Sequence, residues 1–345
     1  MRSVYQASLN PRDVNQVITE LLGKDQRIRE LCVVKAGPFA WAALKDWGAI
    51  ALIVALSEYI RHPAAYILAC LLIAGRQHGF FALSHEAAHY RISGNKLWND
   101  ILGNSLFAYP VLFDTDGYRQ NHLKHHGFLN SEQDPDWKRK IHLCQWQFPM
   151  PMSFVFKTLP KFVLWNGPKE WIMIMLQLAR VLPLKDITKP ESLRKVSVRA
   201  LYYGALAVPL TYFSLWGTFL AYWVIPLVFF FPSIQRVRSV AEHFGLAREH
   251  DLNSTRNVMA PWYERILFGP HNINYHLDHH LIASVPFYNL PKLHEILLEN
   301  DTYRRLGHEN TSYILPSARS LSRDLFTQRG NRSEAKPADP EKLAA

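Results

Sequence analysis

Cysteine is nearly absent from this 345-residue chain, which carries only Cys32, Cys70 and Cys144. Three scattered thiols exclude a disulfide framework and a cysteine-held zinc or iron-sulfur site, and they suit a reducing compartment. The glycine fingerprint of a dinucleotide-binding turn is also missing, as is any recognisable fused haem domain. Residues 1–30 lack the apolar core that a cleavable signal peptide needs. Acid is the scarcer charge: 29 Asp and Glu against 39 Lys and Arg leave a formal charge of +10. That balance favours an anionic membrane surface or an acidic protein partner. The basic residues form no nucleic-acid motif, so no nucleic-acid partner is expected.

What the chain does have is long apolar runs. The mean hydropathy of -0.11 conceals them, because basic polar stretches offset apolar ones. Runs at about 39–60 and 64–84 are separated by a short linker at Pro63, and a second pair lies at about 196–213 and 215–233. Each is long enough, or nearly so, to cross a hydrocarbon layer of roughly 30 Å. The expected fold is therefore an all-α membrane protein with four transmembrane helices in two hairpins, Lys45 and Asp46 marking an interfacial start to the first. Lys and Arg crowd residues 1–36, 91–199 and 234–335 and are sparse at the hairpin tips. The positive-inside rule then puts all three segments on the cytoplasmic side. Residues 11–31 read as a polar interfacial helix, 101–113 as a re-entrant or interfacial helix, and 150–183 as amphipathic helices on the bilayer. Residues 1–316 read as one domain, with its cap built from 85–195 and 234–316. Beyond 317 apolar periodicity is lost, and a structureless tail is expected.

Histidine is the other abundance, with sixteen in the chain. Eight are clustered: His85 and His89 in HEAAH, His122, His125 and His126 in HLKHH, and His276, His279 and His280 in HLDHH. At roughly 100° per residue, positions i, i+3 and i+4 share a helical face, while adjacent histidines diverge by about 100°. Each HxxHH cluster can thus offer neighbouring imidazoles to two different ions. Eight imidazoles exceed the four ligands usual for zinc and the six usual for iron, so two metal ions are the economical reading.

The order of apolar hairpin, HEAAH, YRQNHLKHHGFLNSEQDPDW, second hairpin, SVAEHF and NYHLDHHLIASVPFYNLPKLH resembles the integral-membrane fatty acid desaturases, a branch of the membrane di-iron oxygenases. The resemblance runs from about 38 to 300. It implies four transmembrane helices under a cytoplasmic helical cap that holds two ferrous ions, with O2 as co-substrate. It also adds His243 to the ligand set of His85, His89, His122, His125, His126, His276, His279 and His280. Where some relatives have an Asn that holds a water on the metal, this chain has Ser239. The implied partners are a lipid or acyl-thioester substrate and a separate electron donor of ferredoxin or cytochrome b5 type. Glu86, Asp134, Asp136, Glu242 and Asp278 lie close enough in sequence to orient ligand imidazoles. His78 and His271 are left without a role, and His62, His142, His250, His294 and His308 read as ordinary.

Three other readings compete with desaturation. A membrane hydroxylase or ketolase would use the same ligands. A zinc metalloprotease would use His85, Glu86 and His89 but leave both HxxHH clusters unexplained. A metal transporter would need polar groups within the spans, and these spans have few.

Overall fold

The computed structural model describes residues 25–179, 189–317 and 319–326, and they are mostly helical. A short helix α1 (Gln26–Leu31) is capped by the Asp25 side chain; the rest of the expected 11–31 helix lies outside the described residues. Helix α2 (Ala36–Ile60) ends at Arg61, which turns into the left-handed region with φ 52. Helix α3 (Pro63–Ala88) starts at once: His62 accepts from Ala64 N, and Pro63 fills the first turn, where its missing N–H costs nothing.

Three described helices are long and apolar enough to cross a membrane: α2, α3 and the helix Trp216–His243. They are used differently. About two thirds of the apolar window of α3 is buried inside the protein, against about a third or less for the other two. Helix α3 is therefore the axis of the fold, whereas α2 turns Trp41, Leu44, Leu52 and Leu56 outward. Small residues make that central position possible. A Cβ on Gly75 would stand 2.9 Å from Leu267 Cδ2, and one on Gly79 would stand 2.5 Å from Asp46 Oδ2. Asp46 is fully buried. It meets Arg76 Nη1 at 3.0 Å and His271 Nε2 at 2.6 Å.

After α3, helix α4 (Lys96–Gly103) runs into a buried helical turn holding Phe107, Tyr109 and Val111, which packs with Phe80, Leu83 and Phe113. Helix α5 (Thr115–Gly127) is capped by Asp114, which accepts from Gly117 N at 2.7 Å. Buried Arg119 on α5 donates to the Ala87 and Ala88 carbonyls at 3.0 Å each. A cation thus adds to the capping of the carbonyls at the C-terminus of α3 and pins α5 beside it. Helices α6 (Met152–Lys161) and α7 (Gly167–Ala179) follow, with Phe156, Leu164 and Trp165 exposed.

Helix α8 (Pro190–Tyr212) contains the expected third span, but it is not among the helices apolar enough to cross. Its first half carries Arg194, Lys195 and Arg199, and Lys195 and Arg199 pair with Asp116 and Asp114 at the start of α5. Helix α9 (Trp216–His243) contains two wide turns, Leu220–Val224 and Pro226–Phe230, before running straight to His243. Proline inside a helix removes a backbone donor, and such turns accommodate the freed carbonyls.

The remaining chain forms a second core. Helices α10 (Trp262–Phe268), α11 (His276–Leu281), α12 (Leu290–Leu298) and α13 (Asp301–Leu306) come after a two-residue strand β1 (Asn257–Val258), which pairs in parallel with β2 (Glu309–Asn310). Leu277, Leu290, Leu293 and Leu297 pack there with Ile28 of α1. Residues 319–326 are not structureless. Leu321 and Leu325 of the turn Leu321–Leu325 are buried, and Asp324 receives Arg256 Nη1 at 2.9 Å. The rest of the expected tail, 327–345, lies outside the described residues.

Candidate metal centre

Four helix ends converge where α3 stops. His85 lies in the last turn of α3 and His89 caps it; His122, His125 and His126 come from α5, His243 is the last residue of α9, and His276, His279 and His280 come from α11. The nine candidate ligands form two groups. His85, His89, His122, His126 and His279 make one, His125, His243, His276 and His280 the other, and within each group the ligand atoms lie within 4.8 Å of one another. Adjacent histidines divide between the groups, His125 from His126 and His279 from His280, as the helical angle between neighbours requires. The groups touch through the His126 and His280 rings, stacked at 4.1 Å between centroids.

The spacing suits cations. Within the first group His126 Nε2 is 3.0 Å from His122 Nε2 and 3.3 Å from His279 Nε2; within the second, His276 Nε2 is 3.0 Å from His243 Nε2 and 3.1 Å from His280 Nε2. Two nitrogens each about 2.1 Å from one ion, at right angles, stand about 3.0 Å apart. His85 Nε2 and His89 Nε2 are buried and lack any hydrogen-bond partner among the described residues. Lone pairs aimed at one another are costly when dry, and a cation between them removes the cost. Burial also keeps the rings neutral. It drives His122, His276, His279 and His280 well below the ordinary imidazole value, with neighbouring imidazoles adding to the effect. His89 falls to about 4, through burial first and then the Arg91 and Arg119 charges. Neutral imidazole without carboxylate is a donor set for first-row transition metals rather than magnesium or calcium.

The acids singled out from the sequence divide. Asp134 Oδ2 meets His125 Nδ1 at 2.9 Å, while its Oδ1 accepts from the Asp136 and Trp137 amides. Glu242 Oε1 lies 3.5 Å from His276 Nδ1 and takes Arg238 Nε at 2.6 Å. Glu86 has Oε1 3.6 Å from His85 Nδ1, but its Oε2 accepts from Phe287 N at 2.9 Å. Asp136 pairs with Arg139, and Asp278 receives His294 Nδ1 at 2.8 Å and the Tyr303 hydroxyl, so neither touches a candidate ligand.

Sequence reasoning missed several supporting residues. Asn257 accepts from Leu277 N at 2.9 Å and donates to Asp278 Oδ1 at 2.9 Å, which fixes the start of α11. His294, read as ordinary, clamps Asp278 from behind. His271 holds Asp46, and His78 Nδ1 lies 2.7 Å from Leu267 O. The Ser239 hydroxyl is engaged by Lys140 Nζ at 2.7 Å. No periodic signal announces any of these contacts, because each joins residues remote in sequence.

A cavity of ≈ 380 Å³ opens beside the centre, and His122, His125, His243 and His276 form part of its wall. Phe81, Phe113, Tyr118, Trp146 and Trp171 line it as well.

Apolar helices that end in two adjoining sets of neutral imidazoles describe a membrane protein with histidine clusters that could hold metal ions. The sequence model of the family described as Fatty acid desaturase matches residues 61–311, and the chain belongs to that family. It is an oxidoreductase of the fatty acid desaturase kind. Among curated relatives, the dihydrorhizobitoxine desaturase of Bradyrhizobium elkanii is 26% identical over 94% of both chains. The sn-1 oleoyl-lipid 12-desaturase of Synechocystis sp. is 26% identical over 85% of this chain and 86% of its own. The chloroplastic omega-6 fatty acid desaturase of Arabidopsis thaliana is 28% identical over 64% of this chain and 51% of its own.

Proposed function

We propose that the chain is an O2-dependent desaturase of fatty acyl chains, its two histidine groups each holding one iron ion. The observation that carries this reading is the pair of adjoining all-imidazole groups at the buried ends of apolar helices. Bound iron supplies the oxidising power that no side chain has, enough to take hydrogen from an unactivated methylene. The balance is that one O2 accepts two hydrogen atoms from neighbouring carbons, two electrons and two protons; a C=C bond and two waters result. His85, His89, His122, His126 and His279 hold one ion, and His125, His243, His276 and His280 the other. Asp134 fixes the tautomer of His125 through Nδ1, so that its Nε2 points to the metal. The aromatic wall of the cavity keeps water from the carbons being oxidised.

The electrons come from a separate donor of ferredoxin or cytochrome b5 type, steered by the basic face. The chain crosses the bilayer four times, with the whole 23-residue length of α8 supplying the remaining span, and the centre faces the cytoplasm. Relatives named for lipid-linked chains support an acyl substrate. Glu86 argues against the peptidase reading, because its Oε2 is already engaged by the Phe287 amide.

Mass spectrometry of lipids from a host expressing the chain tests this proposal. Loss of two hydrogens from an acyl chain, dependent on air, is expected. Gain of one oxygen would make the chain a hydroxylase, and an unchanged lipid profile would refute acyl oxidation.

A further inference from the structure

The wall of the cavity is charged in part, which a purely hydrocarbon substrate does not require. Four cations, Arg139, Lys140, Arg236 and Arg238, line it with three carboxylates, Asp136, Glu170 and Glu242. Two of the cations are ion-paired, Arg139 with Asp136 and Arg238 with Glu242. The other two have no carboxylate within ion-pair distance among the described residues. Lys140 Nζ has only the neutral Ser239 hydroxyl, and Arg236 gives Nη2 to Gln145 O at 2.5 Å while its Nη1 is buried without a partner. Gln235 Nε2, from the same wall, is likewise buried and unpartnered. Lys140 Nζ and Arg236 Cζ stand 5.0 and 4.9 Å from the centroid of the Trp146 ring, so one aromatic ring of the wall carries both charges. Both side chains are half-buried, and a bound anion offsets the cost of holding such a charge without an ion pair.

We propose that Lys140 and Arg236 bind the anionic group of the substrate inside this cavity, so that the enzyme takes a compact free carboxylic acid. The inference rests on the desaturase reading and names its substrate class. Room and reach agree with it. The cavity's ≈ 380 Å³ lies near the low end of the roughly 300–1,000 Å³ usual for small-molecule sites. Seven residues of α9 separate Arg236 from His243, about 10 Å along the helix axis. A carboxylate at Arg236 would therefore leave its chain lying toward the second histidine group.

The test is equilibrium binding to the iron-loaded full-length protein in nanodiscs, without O2 or reductant. Dodecanoic acid, methyl dodecanoate and phosphatidate are the probes, each corrected for uptake by empty nanodiscs. We expect the acid to bind about tenfold or more tightly than the ester, the worth of one charge-assisted hydrogen bond. Lys140→Met should abolish that preference and Lys140→Arg restore it, with iron content unchanged in both and Lys292→Ala behaving as wild type. Equal binding of acid and ester, or a preference surviving in both Lys140→Met and Arg236→Met, would overturn the proposal. So would phosphatidate binding that Lys140→Met weakens while the free acid fails to compete. Because no turnover is involved, selective acid binding by a protein that never desaturates would sink the desaturase reading and leave the anion site standing. Desaturation of ester-linked chains without acid selectivity would do the reverse.

Discussion

Replacing Asp134 by Asn changes one proton-accepting atom and little else, which makes it a sharp probe of how the second histidine group is held. Asp134 is 1% exposed. Its Oδ2 serves His125 Nδ1 at 2.9 Å and Asn130 N at 3.0 Å, and its Oδ1 caps the following turn through the Asp136 and Trp137 amides. An Asn can keep the cap with its carbonyl oxygen, but its NH2 then faces His125 Nδ1. Two donors cannot share that contact, so the ring must move its proton to Nε2, the atom needed by the metal. Loss of such a supporting carboxylate typically lowers metal affinity by about 10- to 100-fold, or about 1.4 to 2.7 kcal/mol. Titration of the metal-free protein with buffered Fe2+ should therefore show one site weakened by that factor and the other, built without His125, nearly unchanged. Asp134→Ala should lose a further ~1 kcal/mol of stability with the cap. Two sites of wild-type affinity in Asp134→Asn would refute the proposed role of Asp134.

Other expectations follow from the same contacts. Gly79→Ala would place a methyl 2.5 Å from Asp46 Oδ2 and 3.2 Å from His271 Nε2. The carboxylate is held by Arg76 and His271 and cannot withdraw, so a loss of about 3 kcal/mol is expected as a lowered thermal midpoint in detergent. Glu86→Gln should retain iron and O2-dependent desaturation at a reduced rate, because Oε2 serves mainly as an acceptor for Phe287 N; complete loss of turnover with iron retained would assign Glu86 a direct chemical role. Asp278→Asn weakens the clamp on α11 from His294 and Tyr303, and reduced iron content at both sites should accompany it, since α11 supplies ligands to both groups.

The helical periodicity of HLKHH and HLDHH was enough to anticipate that neighbouring imidazoles would part company, and His125 and His126 do so, as do His279 and His280. Local spacing along a helix survives into the fold because helix geometry is nearly invariant. The apolar runs were legible for the same reason, although α8 is polar in its first half, where Lys195 and Arg199 serve α5 instead of facing lipid. Contacts between remote segments left no such trace. Nothing in the sequence signals that Asp46 is buried against Arg76 and His271, because its surroundings are set by how α2, α3 and the segment carrying His271 meet. Leu321 and Leu325 form too short a stripe to register as order, yet they are buried. The charges facing the cavity are equally hidden, with Lys140 and Arg236 ninety-six positions apart in the chain and brought together only at Trp146.

Iron per chain, measured on purified protein alongside its turnover with and without O2, tests the central claim most directly. Two irons, with activity that vanishes in His126→Ala and in anaerobic reaction, is the predicted result. Full activity in protein that contains no iron, or in the absence of O2, would contradict it.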